Sequence, residues 1–201
     1  MKSKFTVAVY ITLAALAFSG CGIQSIPQAK NETDATLAEI ISQNKRRADL
    51  IPNLVAVVQG YASHEKDTLQ AVVEARAKAT SISLDVSKAT PEQIKAYQNA
   101  QGSLSQALGK LMVISENYPQ LKADRNFSEL QSQLEGTENR IAVARNRHIE
   151  AIKGFNNQIT VPPTSWTNSL FYHHAPMAQW TVSDAEAQAI QTAPKVEFNK
   201  K

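Results

Sequence analysis

From Asp34 to Ile159 apolar side chains return at steps of three and four residues, the period of a helix with one buried face. Leu37, Ile41, Asn44, Ala48, Ile51, Val55 and Val58 line such a face and predict a first helix from about Asp34. Pro52 lies within it; a missing backbone donor and a clash with the preceding turn predict a kink or break at 49–51, with Gly60 as a stop. A second, shorter helix is expected over 64–79, with Leu69, Val72, Val73, Arg76 and Ala79 on one side and Ser63 as its cap. The Ser/Thr-rich residues 80–90 read as a loop. The third helix has the clearest start. Thr90 is the cap, Pro91 takes the first helical position, and Gln93 completes a capping box. Ile94, Tyr97, Gln101, Leu104, Leu108, Leu111 and Ile114 share its buried face, and Pro119 marks its stop. A fourth helix begins near Asn126. Phe127, Leu130, Leu134, Thr137, Ile141, Ala144 and His148 form a coiled-coil-like seam, which Ile152, Phe155 and Ile159 continue after a shift of phase. Pro162-Pro163 ends it, after a run of roughly 50 Å at 1.5 Å per residue.

These patterns predict an all-α fold: an antiparallel bundle of three to four long helices over residues 34–160, followed by an irregular aromatic C-terminal tail, 161–201. The tail holds Trp166, Phe171, Tyr172, Trp180 and Phe198, five of the thirteen aromatics. A disordered tail is usually poor in aromatics, so part of it is expected to dock on the bundle, on lipid or on a partner. These five residues are the candidate partner-binding set.

The N-terminus has a different pattern. Lys2 and Lys4 precede an uncharged apolar run, 5–19, and then Ser19-Gly20-Cys21. This is the layout of a secretory signal, and the run is short of the roughly 17–25 residues of a membrane span. Ser19-Gly20-Cys21 resembles the bacterial lipobox, although Phe18 stands where Leu is commoner. That resemblance implies a signal peptide over 1–20, cut before a lipid-modified Cys21, and a lipidated polar tether over 21–33. Cys21 is the only cysteine, and lipidation accounts for an otherwise unpaired thiol in an oxidising compartment. Two or three acyl chains suffice for stable anchoring where one does not. Gly22, rather than Asp, after the cysteine resembles the pattern for outer-membrane sorting in a two-membrane cell; in a single-membrane cell the chain would face outward from the plasma membrane. Removal of Lys2 and Lys4 leaves 19 basic against 18 acidic residues, a formal charge of +1. That balance offers no concentrated basic face for nucleic acid.

Several separated stretches together resemble the LemA family. They are Arg47-Ala48-Asp49-Leu50-Ile51-Pro52-Asn53-Leu54-Val55, Gly60-Tyr61-Ala62-Ser63-His64-Glu65, Glu74-Ala75-Arg76-Ala77, Glu116-Asn117-Tyr118-Pro119-Gln120-Leu121-Lys122-Ala123 and Leu134-Glu135-Gly136-Thr137-Glu138-Asn139-Arg140-Ile141-Ala142, with Ala193-Pro194-Lys195-Val196-Glu197-Phe198 near the end. The resemblance spans about residues 36–160 and patches of the tail. It implies three or four long helices on a membrane anchor and brings no assigned chemistry. Members commonly keep an uncleaved N-terminal membrane helix and leave the bundle by a Phe-Pro-Gly-type exit; this chain has the lipobox and Thr160-Val161-Pro162-Pro163 instead.

Candidate chemistry is sparse. His64-Glu65 would need a second His at position 68 to make a zinc-protease helix, and that residue is Thr68. His173-His174 have no carboxylate or Cys near them in sequence, and His148 sits on the helical seam. Asn44 and Thr137 on apolar seams read as register-fixing polar residues. Arg76 with Glu74, and Glu138 with Arg140, are candidate charge pairs that local sequence does not distinguish from solvated faces. No phosphate loop, nucleophile elbow or paired carboxylate setting is present, so no cofactor or metal is expected. The reading is a non-enzymatic, lipid-anchored helical scaffold or adaptor that binds an envelope protein, with homo-oligomer formation a further option. The alternative is a hydrolase or small-ligand-binding protein with a site in the bundle core.

Overall fold

The computed structural model describes residues 23–180. They form helices α1 (Ser25–Tyr61), α2 (Lys66–Ser81), α3 (Pro91–Ser115), α4 (Pro119–Lys122), α5 (Arg125–Thr160) and α6 (Thr164–Thr167), then a π-helical turn, Asn168–Tyr172. There is no strand among the described residues. The expected all-α bundle of long helices is the observed fold. None of the described helices is long and apolar enough to cross a membrane. The expected signal over 1–20, Cys21 and Phe198 lie outside the described residues.

The packing divides the described chain into two compact units. The larger comprises residues 41–142. Here α1 and α5 run antiparallel, with Arg47 beside Glu138 and Tyr61 beside Asp124. The α2 and α3 helices form an antiparallel hairpin, with Gln101 on the Ala79 carbonyl near one end and Tyr118 on Glu65 at the other. A single apolar core runs through it, including Leu54, Val58, Val72, Leu104, Leu111, Leu121 and Phe127. Each fully buried side chain of this size contributes about 1.5–3 kcal/mol.

The Thr90 capping box forms as expected. The Gln93 amide donates to Thr90 Oγ1 at 3.3 Å, and the Thr90 amide to Gln93 Oε1 at 3.0 Å. Other boundaries move. The cap of α2 is Glu65, not Ser63, and makes no side-chain cap bond. Pro119 opens α4 rather than only ending α3, because proline suits the first helical turn. Val73 is exposed, whereas Ile40, Arg47 and Leu54, absent from the expected face, are buried.

The expected break at Pro52 does not occur: α1 runs through it. Proline cannot donate to the carbonyl four residues back, which is that of Ala48. Arg76 Nε donates to this carbonyl at 2.8 Å. The acceptor freed by the proline is thus satisfied from α2, which removes part of the penalty that ordinarily ends a helix there.

The smaller unit comprises residues 23–40 and 143–180. The first part of α1 and the last part of α5 are antiparallel here, with Ser25 Oγ donating to Gln158 Oε1 at 3.1 Å and Arg147 bonded to Glu39 at 3.0 Å. The tether expected over 21–33 is helical from Ser25, because Ile26 has an apolar partner in the Phe155–Ile159 cluster. The tail expected to be irregular packs partly on that cluster through Tyr172 and Met177. The Asn156 side-chain amide fixes it by accepting from the Met177 amide at 2.8 Å and donating to the Met177 carbonyl at 2.9 Å. Asn168 makes the same double contact to the backbone of His174, at 3.0 Å each way. Residue His173 between them takes a left-handed conformation, φ 56°.

Candidate functional site

The most unusual side chain in the larger unit is Arg47. Its position on α1 follows the buried face by a three-residue step from Asn44, so the helix carries a guanidinium into the core. It is 0 % exposed. A buried charge is tolerated only when paired and hydrogen-bonded. Arg47 Nη1 donates to Glu138 Oε1 on α5 at 2.5 Å and to Ser105 Oγ on α3 at 2.8 Å. Nη2 donates to Gln101 Oε1 at 2.7 Å. Gln101 in turn donates to the Ala79 carbonyl on α2 at 3.3 Å. One side chain therefore joins α1, α3 and α5 directly and reaches α2 through Gln101. The Glu138 side chain is 45 % exposed, so the ion pair has one dry end and one wet end.

Beside this pair an open groove of about 730 Å3 lies between α3 and α5. Leu108, Met112 and Leu134 supply its apolar surface, while Ser105, Gln131, Glu135, Glu138 and Asn139 supply polar groups. Gly109 borders it, and a Cβ added there would meet nothing within 4 Å. The Arg47 clamp fixes Ser105 and Glu138 on opposite walls.

A second polar pair of contacts closes one end of the larger unit. Tyr61 Oη donates to Asp124 Oδ2 at 2.9 Å, and Tyr118 Oη donates to Glu65 Oε1 at 2.9 Å. These bonds raise both phenol pKa values. The Asp124 carboxylate is held below its ordinary pKa, first by the Phe127 amide at 2.9 Å and then by Tyr61. Asp124 is therefore both the polar cap at the start of α5 and the partner of α1.

The charge pairs suggested by sequence proximity are not the ones formed. Glu138 pairs with Arg47, while Arg140 bonds Gln43 at 3.2 Å and Thr137 Oγ1 at 3.0 Å. Arg76 goes to the Ala48 carbonyl, and Glu74 accepts from Gln70 at 2.8 Å. Both seam residues are buried: Thr137 is fully bonded by Gln133 and Arg140, and Asn44 Oδ1 accepts no hydrogen bond from the described protein atoms.

In the smaller unit His148 is buried, its Nδ1 2.9 Å from Thr36 Oγ1 and its ring edge-on to Trp180 at 5.5 Å. Burial lowers its pKa, opposed by the Thr33 carbonyl and the Asp34 charge. His174 stacks on Tyr172 at 5.8 Å and meets Phe155 edge-on at 5.6 Å. No group of three His, Cys, Asp or Glu is placed to hold a metal among the described residues.

The five aromatics of the expected partner-binding set separate. Trp180 covers His148, and Tyr172 packs on the Ile26 cluster while its hydroxyl donates to the Ile23 carbonyl at 2.7 Å. Trp166 and Phe171 are 64 % and 68 % exposed. Phe198 lies outside the described residues.

Fold and site together define an all-helical bundle protein in which buried charge holds helices to each other beside a preformed groove. A profile of the LemA family matches residues 36–198, and the chain belongs to that family. It is similar to Protein LemA of Metamycoplasma hominis, with 29% identity over 169 residues, 83% of this chain and 72% of that protein. The stretches that carried the resemblance are the ones the polar contacts join. Residues 47–55 meet 134–142 at Arg47–Glu138 and 74–77 at Ala48–Arg76, and residues 60–65 meet 116–123 at Glu65–Tyr118.

Proposed function

We propose that this LemA-family chain is a non-enzymatic scaffold of the bacterial envelope, anchored through lipid on Cys21, that receives a partner protein in the α3–α5 groove. The observation that carries this is the use made of the polar side chains. Arg47, Gln101, Glu138, Arg76, Tyr61 and Tyr118 are engaged in tying helices together. Beside the Arg47–Glu138 pair lies a groove with an apolar base and two carboxylates, Glu135 and Glu138. That combination suits an amphipathic segment with a basic edge, whose apolar residues fill the groove while its cations meet the rim. The groups with shifted protonation do not converge on the groove: the tyrosine contacts close an end of the unit, and His148 belongs to the other unit.

The test is photocrosslinking in intact membranes from Gly109 and Asn139, which line the groove from α3 and α5, with Glu150 as an outward control. The reading expects one and the same protein adduct from both groove positions, lost in Glu135→Lys, and none from the control. Adducts that differ between the two positions, or that survive the charge reversal, would overturn it.

A further inference from the structure

The smaller unit carries a surface that the groove reading does not use. Residues 154–183 contain no Asp, Glu, Lys or Arg, and neither do residues 5–29. The structure brings described parts of these two segments together. Ile26 is buried against Phe155 and Ile159, Ser25 bonds Gln158 at 3.1 Å, and Tyr172 Oη bonds the Ile23 carbonyl at 2.7 Å. These two segments therefore carry no formal charge, in a chain that otherwise has one Lys, Arg, Asp or Glu in about every four residues.

Large apolar side chains nevertheless point outward there. Trp166, Leu170 and Phe171 are 64 %, 71 % and 68 % exposed, and Val161 and Ile23 are also exposed. Trp166 and Leu170 are four positions apart along consecutive helical turns and so lie on one side. A cluster of exposed apolar residues of this kind marks an interaction surface.

Its position along the chain selects the occupant. Ile23 is two residues after Cys21, a reach of at most about 7 Å. Once Cys21 carries its acyl chains, Ile23, and with it Tyr172 and its neighbours Leu170 and Phe171, is held close to the bilayer surface. Burying charge there would be costly, and none is present; Trp and other aromatics are the side chains most favoured at the boundary between headgroups and acyl chains.

We propose that this charge-free surface seats on the lipid bilayer, with Trp166, Leu170 and Phe171 inserted at the headgroup–acyl boundary. The inference rests on the anchoring through Cys21 proposed above. The lipid anchor then sets the height of the protein, and the aromatic seat sets its orientation.

Trp166 and Trp180 are the only tryptophans, which makes insertion readable by fluorescence. The full chain, purified from membranes, is reconstituted into phosphatidylethanolamine–phosphatidylglycerol vesicles with or without brominated acyl chains. Trp180→Phe leaves Trp166 as reporter, and Trp166→Phe leaves Trp180. The proposal expects bromine to quench the Trp166 reporter about twofold or more and the Trp180 reporter little. Flotation of the same vesicles reports anchoring separately. A chain that floats with its Trp166 emission unquenched overturns the seat and leaves the anchor standing. A blue-shifted but unquenched Trp166 places a protein or a second copy on the patch and overturns the proposal as well. A chain that does not float rejects the anchor, and the seat with it.

Discussion

The two units solve the same problem, covering long amphipathic helices, with different chemistry. Residues 41–142 bury a continuous apolar core and pass a charge through it, Arg47, held by Glu138, Gln101 and Ser105. Residues 23–40 and 143–180 bury a small cluster around Ile26, Phe155 and Ile159, supplemented by neutral polar groups: Thr33, Thr36, His148 and Asn168. The first arrangement makes the helix pairing specific, because a buried guanidinium has only one set of positions in which all its partners are met. The second keeps formal charges such as Lys30, Asp34, Glu39 and Arg147 out of its apolar cluster. Burying a charge and burying neutral polar groups are different ways of filling the space between the same two helices, and the chain uses them in different stretches.

The largest expected effect tests the first arrangement. Phe127→Ala should destabilise the larger unit by about 3–5 kcal/mol in urea unfolding, since the ring is 1 % exposed and the site cannot fully collapse. A loss under about 1 kcal/mol would mean that this core does not carry the unit.

Glu138→Ala should cost about 1–3 kcal/mol, because it leaves the buried guanidinium with fewer partners; the exposed end of the carboxylate keeps the loss below that of a wholly buried pair. Arg140→Ala, which removes bonds to Gln43 and Thr137, should cost less than about 1 kcal/mol. Equal losses would show that the Arg47 clamp is not special. Thr90→Ala removes a cap on the α3 start and should cost about 1 kcal/mol by the same measurement.

The mildest effect distinguishes the smaller unit. Burial lowers the His148 pKa, so below the ordinary value of 6.5 the unfolded chain binds more protons than the folded one. The stability contributed by neutral His148 is full above that value and is lost as pH falls through the folded-state pKa. Amide protection factors over 143–160, taken relative to the intrinsic rate at each pH, should fall on acidification, and His148→Gln should flatten the dependence. Protection in 41–61 falling equally, and still doing so in His148→Gln, would assign the pH response to another group.

Much of the fold was legible because helix signals are local. Each face of α3 and α5, like the Thr90 box, is set by residues that follow one another at steps of three or four in sequence. The candidate site was legible only in fragments. Gln101 read as part of a buried face, and Glu138 as a charge for Arg140. Nothing in the neighbourhood of Arg47 separates it from its exposed neighbour Arg46 except the helical phase that carries it inward.

The sequence by itself therefore determined that the chain is helical and where most helices begin and end. Only the tertiary structure decided that α1 continues through Pro52, that the segment after Gln24 is helix rather than tether, and which tail aromatics are covered. Each of those outcomes depends on a partner far away in sequence. Arg76 satisfies a carbonyl 28 residues before it, Arg47 meets a carboxylate 91 residues on, and Tyr172 reaches back 149 residues to Ile23. Periodicity reports which side of a helix is buried; it holds no record of what lies opposite, and buried polar groups are stable only because of what lies opposite.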